Sequence, residues 1–265
     1  VQKSDKPNRA DSLRGDFCDF EWRFATMIFQ TPLLTGEFLK RYKRFFADVR
    51  IGDDVLTVHV PNTGSLKSCL YEGSRCAYSP SNDPNRKLRG TLQFLKTPTS
   101  WVGVNTALPP VLLLEAWEKK LIPHLNQYGF AKKEIKTSVE TRLDLVFAPV
   151  ESQILDKGKL HFVEMKNVTL AEGPTAMFPD AVTARGQKHL RELVRLKKKG
   201  FGAELVFVVQ REDCSQLAPA DGIDPEYGKL LRLAIDSGVQ VNTYSCKIDP
   251  VRGLELNPKP LELKL

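Results

Sequence analysis

The adjacent prolines Pro109 and Pro110 constrain this chain most, because the grain of the sequence changes across them. From Phe20 to Leu108 the apolar runs are short: FEWRFATMIF, KRFFADVRI, VLTVHV, SRCAYSP, LRGTLQFL and SWVGVNT, punctuated by Gly-Asp-Asp, Pro-Asn-Thr-Gly and Ser-Asn-Asp-Pro. Such turn-separated runs read as strands, and five or six of them in fewer than a hundred residues predict a small closed β-barrel, OB-like in class. Beyond the prolines, Val111 to His124 reads as an amphipathic helix stopped by Pro123. Lys133 to Val139, Thr141 to Phe147 and Leu160 to Met165 then read as three strands. A helix capped by Asp180 follows, and Ala203 to Gln210 is apolar enough for a strand buried on both faces. Asp224 to Ser237 predicts a helix with Asp224 as cap and Pro225 in its first turn, and Val239 to Ile248 predicts a last strand.

The expected class is therefore α+β or α/β, with a barrel at residues 20–108 and a mixed sheet flanked by helices at 109–265. Residues 1–19 are expected to be a flexible lead-in, since they mix charges with few apolar side chains. The Pro-rich tail, Asn257 to Leu265, is expected on the surface.

Within the second domain, KLHFVEMK ends a strand with a carboxylate and an ammonium on one side. Side chains alternate along a strand, so Leu160, Phe162, Glu164 and Lys166 share a face, while His161, Val163 and Met165 share the other. In TRLDLVF the same alternation groups Arg142, Asp144 and Val146. Two carboxylates brought together repel, and a hard divalent cation relieves the repulsion while taking oxygen ligands. Such a cation polarises a phosphate oxygen and lowers the pKa of bound water. Asp144 and Glu164 are thus the candidate ligands of Mg²⁺ or Mn²⁺. Lys166 is the candidate for orienting water or offsetting phosphate charge, and Gln187 on the next helix is the candidate auxiliary. Read alone, E-x-K is equally an exposed edge pair. Glu115 or Glu118 could add a third acid, or simply be surface charge.

A net charge of +7 favours an anionic partner, nucleic acid first. The charge is clustered. Arg41, Lys43 and Arg44 alternate with Tyr42, Phe45 and Phe46, a mixture that suits stacking on bases beside cations that meet phosphates. Arg185 and Lys188 lie on the basic side of the Asp180 helix. Each cluster read singly is also a solvated face. The five cysteines have no C-x-x-C spacing, which points to a reducing compartment and away from zinc; the four scattered histidines read as mostly structural. No apolar run is long enough to span a membrane, and a cytoplasmic location is expected, with organelle import compatible with a chain that begins at Val1.

Taken together, RYKRFFADV (Arg41 to Val49), PNTG (Pro61 to Gly64), VNT (Val104 to Thr106), RLD (Arg142 to Asp144), VEMKNVTLAE (Val163 to Glu172) and FPDAVTARGQKHLREL (Phe178 to Leu193) resemble the sugar fermentation stimulation protein A family. The similarity runs in order from about Gln30 to Lys247. It implies an OB-type barrel joined to a restriction-endonuclease-like domain of the PD-(D/E)xK class, with DNA binding and a regulatory part in sugar (maltose) metabolism. It also implies Asp144 and Glu164 as the two acids, Lys166 as the lysine and Gln187 as the helix-borne auxiliary. No Pro precedes Asp144, Met165 stands where smaller β-branched residues are common, and Asn167 replaces a usual Ser. Asn62 and Thr63, like Asn105 and Thr106, are family marks that either contact phosphate or build turns.

The expectation is a largely sequence-nonspecific DNA-binding protein with a metal-dependent nuclease site. The alternatives are a non-catalytic DNA-binding module on a nuclease scaffold and a protein-interaction scaffold. The partner expected is single- or double-stranded DNA and not a membrane; monomer and homodimer are both open.

Overall fold

The computed structural model describes residues 25–29, 31–151 and 159–265. The expected lead-in lies outside the described residues.

The first strand among the described residues is β1 (Ala25–Ile28), followed by β2 (Leu34–Tyr42), β3 (Phe46–Ile51), β4 (Asp54–His59), β5 (Arg75–Pro80), β6 (Gly90–Lys96) and β7 (Trp101–Gly103). Strands β2 to β6 pair in the order β4-β3-β2-β5-β6, and a parallel bridge between His59 on β4 and Thr91 on β6 closes them into a five-stranded OB-like barrel. Its core is Phe38, Val49, Val58, Leu92 and Leu95 with their neighbours. β2 escaped the sequence reading, because LTGEFLKRY alternates weakly and carries Gly36. That glycine is needed: a Cβ there would sit 2.4 Å from the Val49 side chain and 2.8 Å from the Arg50 carbonyl. The run FEWRFATMIF was expected in the barrel. Its described part, β1, pairs instead with a strand near the end of the chain, so local pattern gave the strand and not its partner.

Helix α1 (Leu108–Glu118) begins three residues earlier than expected, with both prolines inside its first turn. Amides there have no intrahelical acceptor, so proline costs the helix no hydrogen bond. Pro123 opens a short 3-10 turn, Pro123–Leu125, rather than ending α1. Then come β8 (Phe130–Lys136), β9 (Arg142–Ala148), β10 (His161–Val168), β11 (Ala171–Glu172), β12 (Thr175–Phe178), α2 (Ala184–Lys198), β13 (Gly202–Val209), β14 (Gln216–Pro219), α3 (Pro225–Asp236), β15 (Gln240–Asp249), β16 (Gly253–Pro260) and β17 (Glu262–Leu263).

The main sheet runs β1-β16-β15-β13-β10-β9-β8. β10, β13 and β15 are parallel, and α2 and α3 lie in the two connections between them. Leu190, Leu193, Leu196, Tyr227 and Leu231 pack with Leu205, Phe207 and Val209 on one face. Leu108, Leu112, Leu113 and Ala116 of α1 pack with Val163, Met165, Val206 and Val208 on the other. This explains the uninterrupted apolar run of β13, which has helices over both of its faces.

One further expectation is corrected. Asp180 does not cap α2; Thr183 does, its hydroxyl accepting from the Gly186 amide at 3.0 Å. The Pro-rich tail lies at the surface as expected, exposed or half-buried throughout, but in regular structure. Its residues complete β16 and form β17, which adds to a small sheet of order β11-β12-β14-β17. Asp224 caps α3 as expected, accepting from the Tyr227 amide.

Candidate metal centre and nucleic-acid cleft

The β9–β10 ladder runs from His161–Phe147 to Val163–Leu145 and stops. At the next step the Asp144 side chain replaces a backbone carbonyl, its Oδ2 accepting the Met165 amide at 2.7 Å. The diverging strands leave Asp144, Glu164 and Lys166 together on the α2 face. Helix α2 adds a fourth group: His189 Nδ1 and Lys166 Nζ both reach Glu164 Oε1, and the two nitrogens are 3.2 Å apart.

The electrostatics divide the two acids. Burial and then the nearby Glu164 charge push Asp144 from its ordinary 3.8 up to about 6. Burial would raise Glu164 as well, but Lys166 and His189 hold it below the usual carboxylate range. One oxygen is left over. Glu164 Oε2 is buried without a hydrogen-bond partner, as is the hydroxyl of Tyr227, whose ionisation burial and the Glu164 charge oppose. A buried carboxylate oxygen with no donor is costly. Asp144, disfavoured as a neighbouring anion, together with this orphaned oxygen, fits a small oxygen-seeking dication.

The acids form the floor of a cleft of about 420 Å³ between barrel and sheet. Asn62, Thr63, Gly64 and Arg44 line its barrel side, and Pro179 to Thr183 with Arg185 and Gly186 line the other. Asp180 ties the walls together by accepting from Ser65 Oγ and the Leu66 amide, both at 3.1 Å. Gly64 must be glycine for this, because a Cβ would lie 2.5 Å from the Asp180 carboxylate.

Other predicted site residues have different places. Gln187 does not join the acids; its amide donates to Asp224 at 2.9 Å, steadying the α3 cap. Helix spacing accounts for this: Gly186, His189, Leu193 and Leu196 form the buried stripe, and Gln187 is turned away from His189. That stripe is the signal that could have singled out His189. Arg41 is spent internally, donating to the carbonyls of Arg44, Asn62, Gly64 and Ser65 at 2.7–3.2 Å. Asn62 is a turn builder, donating to Val104 O and accepting from the Gly64 amide. Asn105 and Thr106 also hold this region, through Gln93 and Pro61 O. Lys43, Arg44, Thr63 and Arg185 are exposed. Lys188 pairs with Glu140 at 2.6 Å. Glu115 of α1 pairs with Lys119 at the helix's C-cap and, like Glu118, is not among the residues that line the cleft.

Residues 39–104 match the SfsA N-terminal OB domain, and residues 107–252 match the sugar fermentation stimulation protein RE domain. The chain belongs to the sugar fermentation stimulation protein family. A sugar fermentation stimulation protein homolog of Bdellovibrio bacteriovorus is 49% identical over 249 residues, covering 90% of this chain and 100% of that protein. A homolog of the same description from Geobacter sulfurreducens is 44% identical, covering 84% and 94%. Among solved structures, Pyrococcus furiosus SfsA in complex with Ca²⁺ superposes with a TM-score of 0.80 at 27% identity, covering 91% of this chain and 99% of that one. Among the described residues, no helix of this family member is long and apolar enough to cross a membrane.

Proposed function

We propose that this protein is a DNA-binding phosphodiesterase of little sequence preference, dependent on Mg²⁺ or Mn²⁺. The observation that carries the reading is the convergence of Asp144, Glu164 and Lys166 on the floor of a cleft between an OB-like barrel and a nuclease-like sheet. Asp144 and the free oxygen of Glu164 would hold the ion, which supplies charge on a phosphate oxygen and an acidified water. The relative from Pyrococcus furiosus, crystallised with Ca²⁺, supports a site of this oxygen-ligand class.

The chain's own residues do the rest. Lys166 leaves Glu164 for the phosphate, where its ammonium offsets negative charge developing on the phosphorus oxygens. His189 keeps Glu164 oriented while Lys166 is engaged. Arg44, Lys43 and Thr63 on the barrel side, with Arg185 across the mouth, meet backbone phosphates, so binding weakens steeply as salt rises.

One observation favours a second reading, a non-catalytic DNA-binding regulatory module. Lys166 and His189 already compensate Glu164, so the cluster is partly satisfied without an ion. The relatives' name, which refers to stimulation of sugar fermentation, also favours this reading.

The two are separated by incubating the protein with single- and double-stranded DNA, with and without Mg²⁺ or Mn²⁺, beside Asp144→Ala and Lys166→Ala. Metal-dependent nicking by the parent, lost by at least about a hundredfold in both variants while binding persists, supports the nuclease. Binding by the parent without cleavage under either metal leaves the module.

A further inference from the structure

On the opposite face of the main sheet lies a second cluster. Glu204 of β13 shares the α1 side with Val206 and Val208, and it is fully buried. His161, at the start of β10, shares that side with Val163 and Met165 and donates through Nε2 to Glu204 Oε2 at 2.7 Å. His124, in the 3-10 turn below α1, places its Nε2 at 3.1 Å from both Glu204 oxygens. The three ligand atoms lie within 4.8 Å of one another. Asn242 of β15 completes the ring with its amide 2.8 Å from Glu204 Oε1.

We propose that His124, His161 and Glu204 form a transition-metal site, taking Zn²⁺ or a borderline divalent ion of the same kind, distinct from the Asp144–Glu164 centre. Two imidazoles and one carboxylate are the donors that such ions prefer, whereas Mg²⁺ and Ca²⁺ take oxygen alone. The spacing fits. Bonds of about 2.0–2.1 Å at tetrahedral angles put ligand atoms about 3.3 Å apart, so the two His–Glu204 separations of 2.7 and 3.1 Å need only open by a few tenths of an ångström to admit an ion.

The cluster is also built to hold its shape. His161 and Glu204 stand on adjacent central strands, and Gly202, opposite His161 in the ladder, leaves room for its ring. A Cβ at Gly202 would lie 2.3 Å from His161 Nδ1. His124 is partly exposed, at 29% of its side chain, and so provides the way in. The fourth position falls to water, or to Asn242 with its amide turned over to present oxygen. The sheet separates this site from the nuclease-like one: Glu164 and Lys166 face α2, whereas His161 and Glu204 face α1. Metal here would pin the 3-10 turn to the sheet.

The test uses the full chain carrying Asp144→Asn, which disables the first site, after removal of metal by a chelator. Titration with Co²⁺ should give the visible absorption of a tetrahedral ion at one equivalent per chain, displaced by Zn²⁺. At about a hundredfold excess over Kd, Zn²⁺ should raise the melting temperature by about 5 °C or more. His124→Ala in the same background should abolish the spectrum, and X-ray absorption of the Zn²⁺-loaded parent background should read two imidazole ligands whether or not that variant folds. Absence of stoichiometric binding, a spectrum unchanged by His124→Ala in folded protein, or an all-oxygen ligand set would overturn the proposal. DNA cleavage plays no part in these readouts.

Discussion

The carboxylate of Asp144 accepts the backbone amide of Met165 at 2.7 Å, where a strand neighbour's carbonyl would otherwise sit. The proposed metal ligand is thus part of the sheet's own bonding, and its charge is held in a place that disfavours it.

Asp144→Asn should therefore stabilise the metal-free protein. An acid raised from 3.8 to about 6 carries its folding cost in full above about pH 6 and loses it as the pH falls towards 3.8. The expected gain is on the order of 2 kcal/mol at pH 8, shrinking at pH 5, measured by urea unfolding in chelator. An equal gain at both pH values would contradict the raised acid.

The same group should tie metal affinity to pH. Asp144 must be ionised to act as a ligand, so Mn²⁺ affinity should be flat above about pH 6 and fall about tenfold per unit below it. Calorimetric titration between pH 5 and 8 checks this slope.

Arg41 and Arg44, three residues apart, should behave differently. Arg41→Ala leaves the turn carbonyls it serves without their donor and should cost about 1–3 kcal/mol of stability. Arg44→Ala should leave melting unchanged, weaken DNA binding and lower the salt slope by about one. Loss of stability in both variants, with no change in salt slope, would remove Arg44 from the DNA surface.

Gln187→Ala and His189→Ala should also diverge. Gln187 serves Asp224, so its loss should leave any metal-dependent cleavage within a few fold. His189 holds Glu164, and His189→Ala should cost about 1–3 kcal/mol in chelator, less with Mn²⁺ at saturation. A cleavage defect confined to Gln187→Ala would restore the auxiliary role expected from sequence.

The sequence yielded what alternation and capping encode. The shared face of Glu164 and Lys166, the buried run of β13 and the Asp224 cap all follow from period, composition or a side-chain oxygen at the right offset. Partners distant in sequence were not legible. β1 looks like any half-apolar strand, and only the folded chain pairs it with β16. Asp180 looks like a cap because it precedes a helix, yet its carboxylate crosses to the barrel, a contact spanning more than a hundred residues. Gln187 and His189 differ by two positions, and the choice between them needed the position of the sheet beneath α2. The His124–His161–Glu204 cluster was missed for the same reason, since its members come from three separate elements.

The pairing of β1 with β16 makes the barrel an excursion from the larger sheet rather than a bead strung before it. Severing the chain just ahead of Pro109 would not release two intact halves. It would strip a border from the larger one and leave the β16 backbone open to foreign strands, the circumstance in which separated fragments cling to one another.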